Sequence, residues 1–236
     1  VSRQSEDKAA FDMTEDTANK ALDLVFSSPN PSIKIEFQGG EPLLNFGLIK
    51  HIVQEAEERN KIEKKNLQFV IATTLSLATT EILEYCRDHK VYLSSSLDGP
   101  EVLHNINRPR PDHDSYEKFV EGLKKARDIV GYDSVSALMT TSPSSLDHVK
   151  EIIDEYIKLG FDSIFLRHLS PYGFAIKTKS YEACSVEKWL EFYRKGMDYI
   201  IELNKSGINF VEHSSTIVLT KMLTSDDAGF VDLMNP

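Results

Sequence analysis

The residues best placed to do chemistry lie in one stretch, Gln38-Gly39-Gly40-Glu41-Pro42-Leu43-Leu44. Two successive glycines remove two side chains and permit φ > 0, so a ligand can reach the backbone itself. Pro42 fixes its own φ and restricts Glu41 to an extended conformation, which holds the Glu41 carbonyl and carboxylate in place. The chemistry on offer is ligand binding by main chain beside one fixed carboxylate. Other donors and acceptors are Thr73, Thr74, Ser94, Ser96, Asp98, His104, Arg108, Thr140, Thr141, Arg167 and His168. They include no two-histidine metal motif and no Ser-His-Asp arrangement, and the glycines form neither a dinucleotide nor a phosphate loop. No general base can be named: His104, His168 and His213 are candidates by proximity alone. Cys86 and Cys184 lie too far apart for a disulfide framework or a metal-site spacing, and both read as buried thiols in helices.

These residues need a scaffold. The alternation Ile33-Lys34-Ile35-Glu36-Phe37 reads as a strand running into the glycines. Before it, Thr14 caps a helix with Ala18, Ala21, Leu22, Val25 and Phe26 on its apolar face. After it comes a helix from about Phe46 to Asn60, burying Ile49, Ile52, Val53 and Ala56. A strand at Leu67–Ala72 follows, then a helix capped by Thr79, and a strand at Val91–Leu97. A proline-rich loop, Gly99 to Pro111, precedes a helix from Ser115 to Ile129. Strands at Val135–Thr140 and Ser163–Leu169 flank a helix from Leu146 to Leu159, and the remainder is helical, Val186–Asn204 and Ser214–Met222. Strand and helix thus alternate five times, the pattern of βα units on a parallel sheet with right-handed crossovers. The expectation is an α/β fold, a single domain over 1–236, and a partial (β/α) TIM-like barrel with parallel strands. A doubly wound open sheet is the alternative. In either, ligands bind at the carboxyl ends of the strands.

The 236 residues are 41% hydrophobic and 27% charged, with a formal net charge of −10. An acidic chain repels phosphate backbones, which argues against nucleic acid as partner. No apolar run of membrane-spanning length and no signal-peptide pattern occurs, so no membrane partner is expected and a reducing cytoplasm is the default compartment. Trp189, Phe192, Tyr193 and Tyr199 on the long helix read first as core packing.

The string Gln-Gly-Gly-Glu-Pro-Leu resembles the second-strand motif of the radical S-adenosylmethionine (AdoMet) enzymes, where that backbone binds the amino group of the AdoMet methionine. Ser96-Leu97-Asp98-Gly99-Pro100, with His104 and Asn107-Arg108-Pro109, is similar to a segment of the SPASM-type maturases, which include the anaerobic sulfatase-maturing enzymes. The resemblance implies that Gln38, Gly39, Gly40 and Glu41 line the methionine end. It implies that Ser96 meets the ribose or carboxylate, Arg108 the carboxylate, and Leu169 the adenine. Leu169-Ser170-Pro171-Tyr172-Gly173-Phe174 and Gly229-Phe230-Val231-Asp232-Leu233 look closest to the His-Xaa-Ser-system maturases, which implies a His-Xaa-Ser repeat peptide as substrate. The implied activity is reductive cleavage of AdoMet to a 5′-deoxyadenosyl radical for hydrogen abstraction from a peptide or protein, with an external electron donor. The family holds a [4Fe–4S] cluster through C-x3-C-x2-C, and no such loop occurs here. Thr74-Leu75 also stands where the family usually has Asn-Gly. The expectation is therefore an inactive fragment, its first strand and cluster cysteines expected upstream of Val1 and an auxiliary-cluster region after Pro236. Two other classes compete: an unrelated (β/α) barrel lyase or isomerase, and a non-catalytic barrel remnant binding peptide through the aromatic helix.

Overall fold

The computed structural model describes residues 12–169 and 180–225. It falls into two compact units. One is built from the residues up to Ser96 together with Asp114–Ala137, the other from Leu97–His113 together with the residues from Leu138 onward.

The first unit contains a four-stranded sheet in the order β1-β2-β3-β4, with β1 at Ser32–Phe37, β2 at Asn66–Thr73, β3 at Val91–Ser96 and β4 at Val135–Leu138. The registers of β1 on β2 and β2 on β3 are parallel, Phe37 opposite Ile71 and Thr73 opposite Ser95. The helices of this unit are α1 (Glu15–Phe26), α2 (Phe46–Glu63), α3 (Thr80–Asp88) and, after the excursion of the chain through the other unit, α5 (Ser115–Val130). Thr14 and Thr79 are the N-caps of α1 and α3 as expected, accepting from Thr17 N at 3.2 Å and Ile82 N at 3.3 Å. The faces of α2 and α3 supply Ile49, Ile52, Val53, Ala56, Leu83 and Cys86 to the core, and the strands supply Phe69, Ile71, Val91 and Leu93. α1 packs on α2, and α3 on α5.

In the second unit the loop read at 99–111 contains a helix, α4 (Glu101–Asn107). Its prolines flank the helix rather than interrupt it: Pro100 is the N-cap, and the helix stops at Arg108, before Pro109, because the residue preceding a proline is driven out of the α region. α6 (Val149–Lys158) and α7 (Val186–Lys205) pack together. A Cβ on Gly196 of α7 would lie 2.7 Å from Leu166 Cδ1 and 2.8 Å from Val149 Cγ2. The strand expected at Ser163–Leu169 is reduced to β5, Ser163–Ile164, parallel to β6, Val211–Glu212, which leads into α8, His213–Leu223. The ladder stops because the Glu212 carboxylate takes the Leu166 N–H at 3.2 Å, and Arg167 N closes a tight turn on Phe165 O at 2.8 Å. β4 is likewise shorter than expected, and ends at Leu138.

Candidate functional site

In the first unit, β1 ends in Gln38, Gly39 and Gly40, all exposed. Neither glycine takes a left-handed conformation, so the φ freedom expected of the pair is not what the fold uses. What the pair supplies is space, since a Cβ on either would meet nothing within 4 Å. Gln38 Nε2 donates back to Glu36 at 2.5 Å. Glu41 is extended, φ −140° and ψ 104°, and caps the 3-10 turn Pro42–Asn45, as the following proline requires. Its carboxylate is half-buried and takes four hydrogen bonds. Leu43 N (3.3 Å) and the Thr73 hydroxyl (2.7 Å) donate to Oε1; Thr74 N (2.9 Å) and the Thr74 hydroxyl (2.8 Å) donate to Oε2. The carboxylate thereby ties the end of β1 to the end of β2. Leu75, in the Thr-Leu pair that departs from Asn-Gly, adopts φ 63° while 2% exposed. Its N–H donates to Thr73 Oγ1 at 3.1 Å. Ser96 ends β3 half-buried.

In the second unit, Asp98 is 2% exposed and grips Arg108 by two bonds, Nε at 2.8 Å and Nη2 at 3.2 Å. Thr140 N adds a third bond at 3.0 Å. Asp98, Arg108, Thr140, Asn107 and Ser142 line a cavity of about 260 Å³. The arginine singled out for a ligand carboxylate is therefore already a half-neutralised partner of a buried carboxylate. A guanidinium has five N–H donors, so three remain after Asp98 is satisfied. Asn107 was not among the residues expected to line a site. Its Oδ1 accepts from the Ser142 and Ser144 hydroxyls, both at 2.9 Å, and its Nδ2 is buried without a partner among the described residues. The signal for it is helical spacing, which sets His104 and Asn107 of α4 on one face, with Arg108 following as the C-cap. His104 Nδ1 accepts from Asp98 N at 3.3 Å. Burial pushes the His104 pKa down to about 4, with Asp98 opposing that and Arg108 adding to it. Beneath the turn, buried Tyr156 donates to Leu97 O at 2.8 Å.

Leu169 is half-buried, and its backbone hydrogen-bonds the Cys184 thiol, whose pKa burial nevertheless raises. The Arg167 carbonyl accepts from Thr141 Oγ1 at 2.5 Å. The long aromatic helix spends its polar tips internally. Trp189 Nε1 donates to Leu166 O at 3.2 Å, Tyr193 to Glu212 at 2.6 Å and Tyr199 to Asp154 at 2.6 Å. Ser170–Phe174 and Gly229–Leu233 lie outside the described residues.

The two ligand classes implied above fare differently. The Gly39-Gly40 backbone is open, with nothing within 4 Å of a Cβ on either residue, which leaves room for a ligand to reach the main chain. An iron–sulfur cluster does not fit the residues present. Among the described residues no three His, Cys, Asp or Glu come together to hold a metal. Cys86 and Cys184 are both free and buried, and burial lifts the Cys86 pKa to about 12.

No family model matches the chain. In sequence it is 30% identical over 161 residues to the uncharacterized protein MJ0907 of Methanocaldococcus jannaschii, a match covering 68% of the chain and 54% of that protein. It is 26% identical over 136 residues to the radical SAM cyclopropyl synthase TigE of Paramaledivibacter caminithermalis, covering 56% of the chain and 28% of that enzyme. The chain thus spans about half the length of the first relative and less of the second. In structure it is similar to anSMEcpe with bound AdoMet, with a TM-score of 0.71 at 16% identity over 91% of the chain and 59% of that protein. It is also similar to anSMEcpe with bound AdoMet and a Kp18Cys peptide, with a TM-score of 0.72 at 16% identity over 91% and 60%. At that identity the likeness establishes the fold: α/β with a parallel sheet, the partial (β/α) barrel class read from the strand–helix alternation. In sequence the chain is thus related to a radical SAM enzyme.

Proposed function

We propose that the chain is the AdoMet-binding core of a radical SAM enzyme that modifies a peptide or protein by hydrogen abstraction. The observation that carries this reading is the exposed Gly39-Gly40 backbone at the carboxyl end of β1, held by the Glu41 carboxylate. Bound AdoMet, with an electron from a reduced cluster, would supply the abstracting chemistry. The two cysteines of this chain are not assigned to that cluster. The chain's own residues would bind and orient the cofactor. By motif correspondence, residue by residue, Gln38, Gly39, Gly40 and Glu41 serve the methionine end, Ser96 and Arg108 the ribose and carboxylate, and Leu169 the adenine. Arg108 suits a carboxylate through its planar fork, and its grip on Asp98 fixes which edge of that fork is offered.

The substrate class is supported by anSMEcpe, which is seen with a bound peptide. We infer a peptide or protein, and by the motif resemblance a His-Xaa-Ser repeat peptide, with a separate electron donor and the cytoplasm as compartment. The core domain is taken to extend over 1–236, as part of a longer protein.

The test is AdoMet binding by calorimetry in the longer, cluster-loaded protein of which this chain is taken to be the core, wild type against Gly40→Val. A Cβ there meets nothing within 4 Å, so the melting temperature should hold while AdoMet affinity falls by about ten-fold or more. Wild-type affinity in Gly40→Val would sink the assignment. Arg108→Ala is the poorer probe, because it strands Asp98 as a buried unpaired charge and costs stability by itself.

A further inference from the structure

We propose that Glu41 is a positioning residue rather than a ligand of the cofactor's amino group, its carboxylate forming a clamp with Thr73 and Thr74 that fixes the Gly39-Gly40 backbone. This rests on the AdoMet reading above and deepens it. An ionised carboxylate has about four lone-pair sites, and in Glu41 all four are taken by Leu43 N, the Thr73 hydroxyl, Thr74 N and the Thr74 hydroxyl. No acceptor capacity is left for an incoming ammonium group. Gly39 and Gly40 themselves are exposed, with open space where a side chain would be, so their position depends on what anchors the residue after them. That anchor is built from the end of the neighbouring strand. Thr73, 2% exposed, also receives the Leu75 N–H, and Leu75 holds a left-handed φ of 63° to make that turn. A strained, buried backbone that persists at a strand end marks a place where the surroundings over-determine geometry. The Thr-Thr-Leu sequence, which departs from the family's usual Asn-Gly, here supplies the two hydroxyls that the carboxylate uses.

A clamp and a direct ligand respond differently to loss of the partner strand. Glu41→Gln must turn an amide donor toward one of the present donors. Thr74→Val deletes one donor and leaves the carboxylate intact. If the clamp operates, each variant weakens AdoMet binding about ten-fold in the longer, cluster-loaded protein, and the double variant is no weaker than the worse single one. Backbone order parameters at Gly39 and Gly40, measured by NMR without ligand, should fall in both. Leu83→Ala, a fully buried α3 residue, should lower the melting temperature and keep wild-type AdoMet affinity, separating positioning from general stability. Wild-type affinity in Thr74→Val alongside a loss in Glu41→Gln would show the carboxylate meeting the ligand directly and overturn the proposal. Unchanged order parameters at Gly39 and Gly40 in both variants would overturn it too. Should the wild type fail to bind AdoMet, the cofactor reading falls, and the order parameters still decide whether the clamp exists.

Discussion

His104 is 2% exposed, and its Nδ1 accepts the Asp98 backbone N–H, which leaves the proton of the neutral ring on Nε2. Protonating the ring would add a charge inside the second unit, and burial accordingly moves its pKa from 6.5 to about 4, against the pull of Asp98. Between those two values the unfolded chain binds a proton that the folded chain refuses. The contribution of His104 is therefore complete above about pH 6.5 and erodes as pH falls toward 4, by at most about 3 kcal/mol. Urea unfolding at a series of pH values from 7.5 to 4.5 should show this decline in the wild type. His104→Asn keeps an acceptor and cannot titrate, so its decline should be shallower over the same range. Parallel curves for the two proteins would count against a neutral buried histidine.

At the scale of elements, the turn after β2 and helix α5 constrain each other. Leu75 is left-handed and buried, and Gly122 of α5 faces it so closely that a Cβ would lie 2.8 Å from Leu75 Cβ and 3.0 Å from Leu75 O. In an open helix position Gly→Ala stabilises by up to about 1 kcal/mol. Here the obstacle is backbone already held in a sparsely populated conformation, so it cannot yield cheaply. Gly122→Ala should destabilise by about 1–3 kcal/mol, read as a lower denaturant midpoint with unchanged slope. Gly47→Ala in α2, whose Cβ would meet nothing within 4 Å, is the matched control and should be neutral or stabilising. A neutral Gly122→Ala would mean that the α5 contact on Leu75 is loose. The elements also show where local pattern suffices. Caps at Thr14 and Thr79 and the apolar face of α2 are legible because each is set within one or two helical turns. The α4 helix was hidden because Pro100, Pro109 and Pro111 resemble a loop until one sees that they bracket seven helical residues.

For the whole molecule, the cluster expectation can be tested directly. Anaerobic reconstitution of the 236-residue chain with iron and sulfide should yield no stoichiometric [4Fe–4S] cluster by iron analysis and visible spectrum. A cluster needs several exposed, readily ionised thiolates, whereas Cys86 and Cys184 are both buried and burial raises both thiol pKa values. A stoichiometric cluster on this chain would require rearrangement of the α3 core around Cys86. Across the molecule, the sequence by itself determined the fold class and the parallel βα order, because side-chain period and caps are local properties of the chain. It could name Asp98, His104 and Arg108 without showing which holds which. Only tertiary structure decided that Glu41 is spent on Thr73 and Thr74, 32 and 33 residues away. It also decided that Asp98 takes Arg108 and Thr140, 10 and 42 residues away, and that β5 ends after two residues because the Glu212 side chain captures Leu166. The physical reason is the same in each case. A hydrogen bond between distant segments depends on which donors the fold brings to one carboxylate, and no local propensity encodes that pairing.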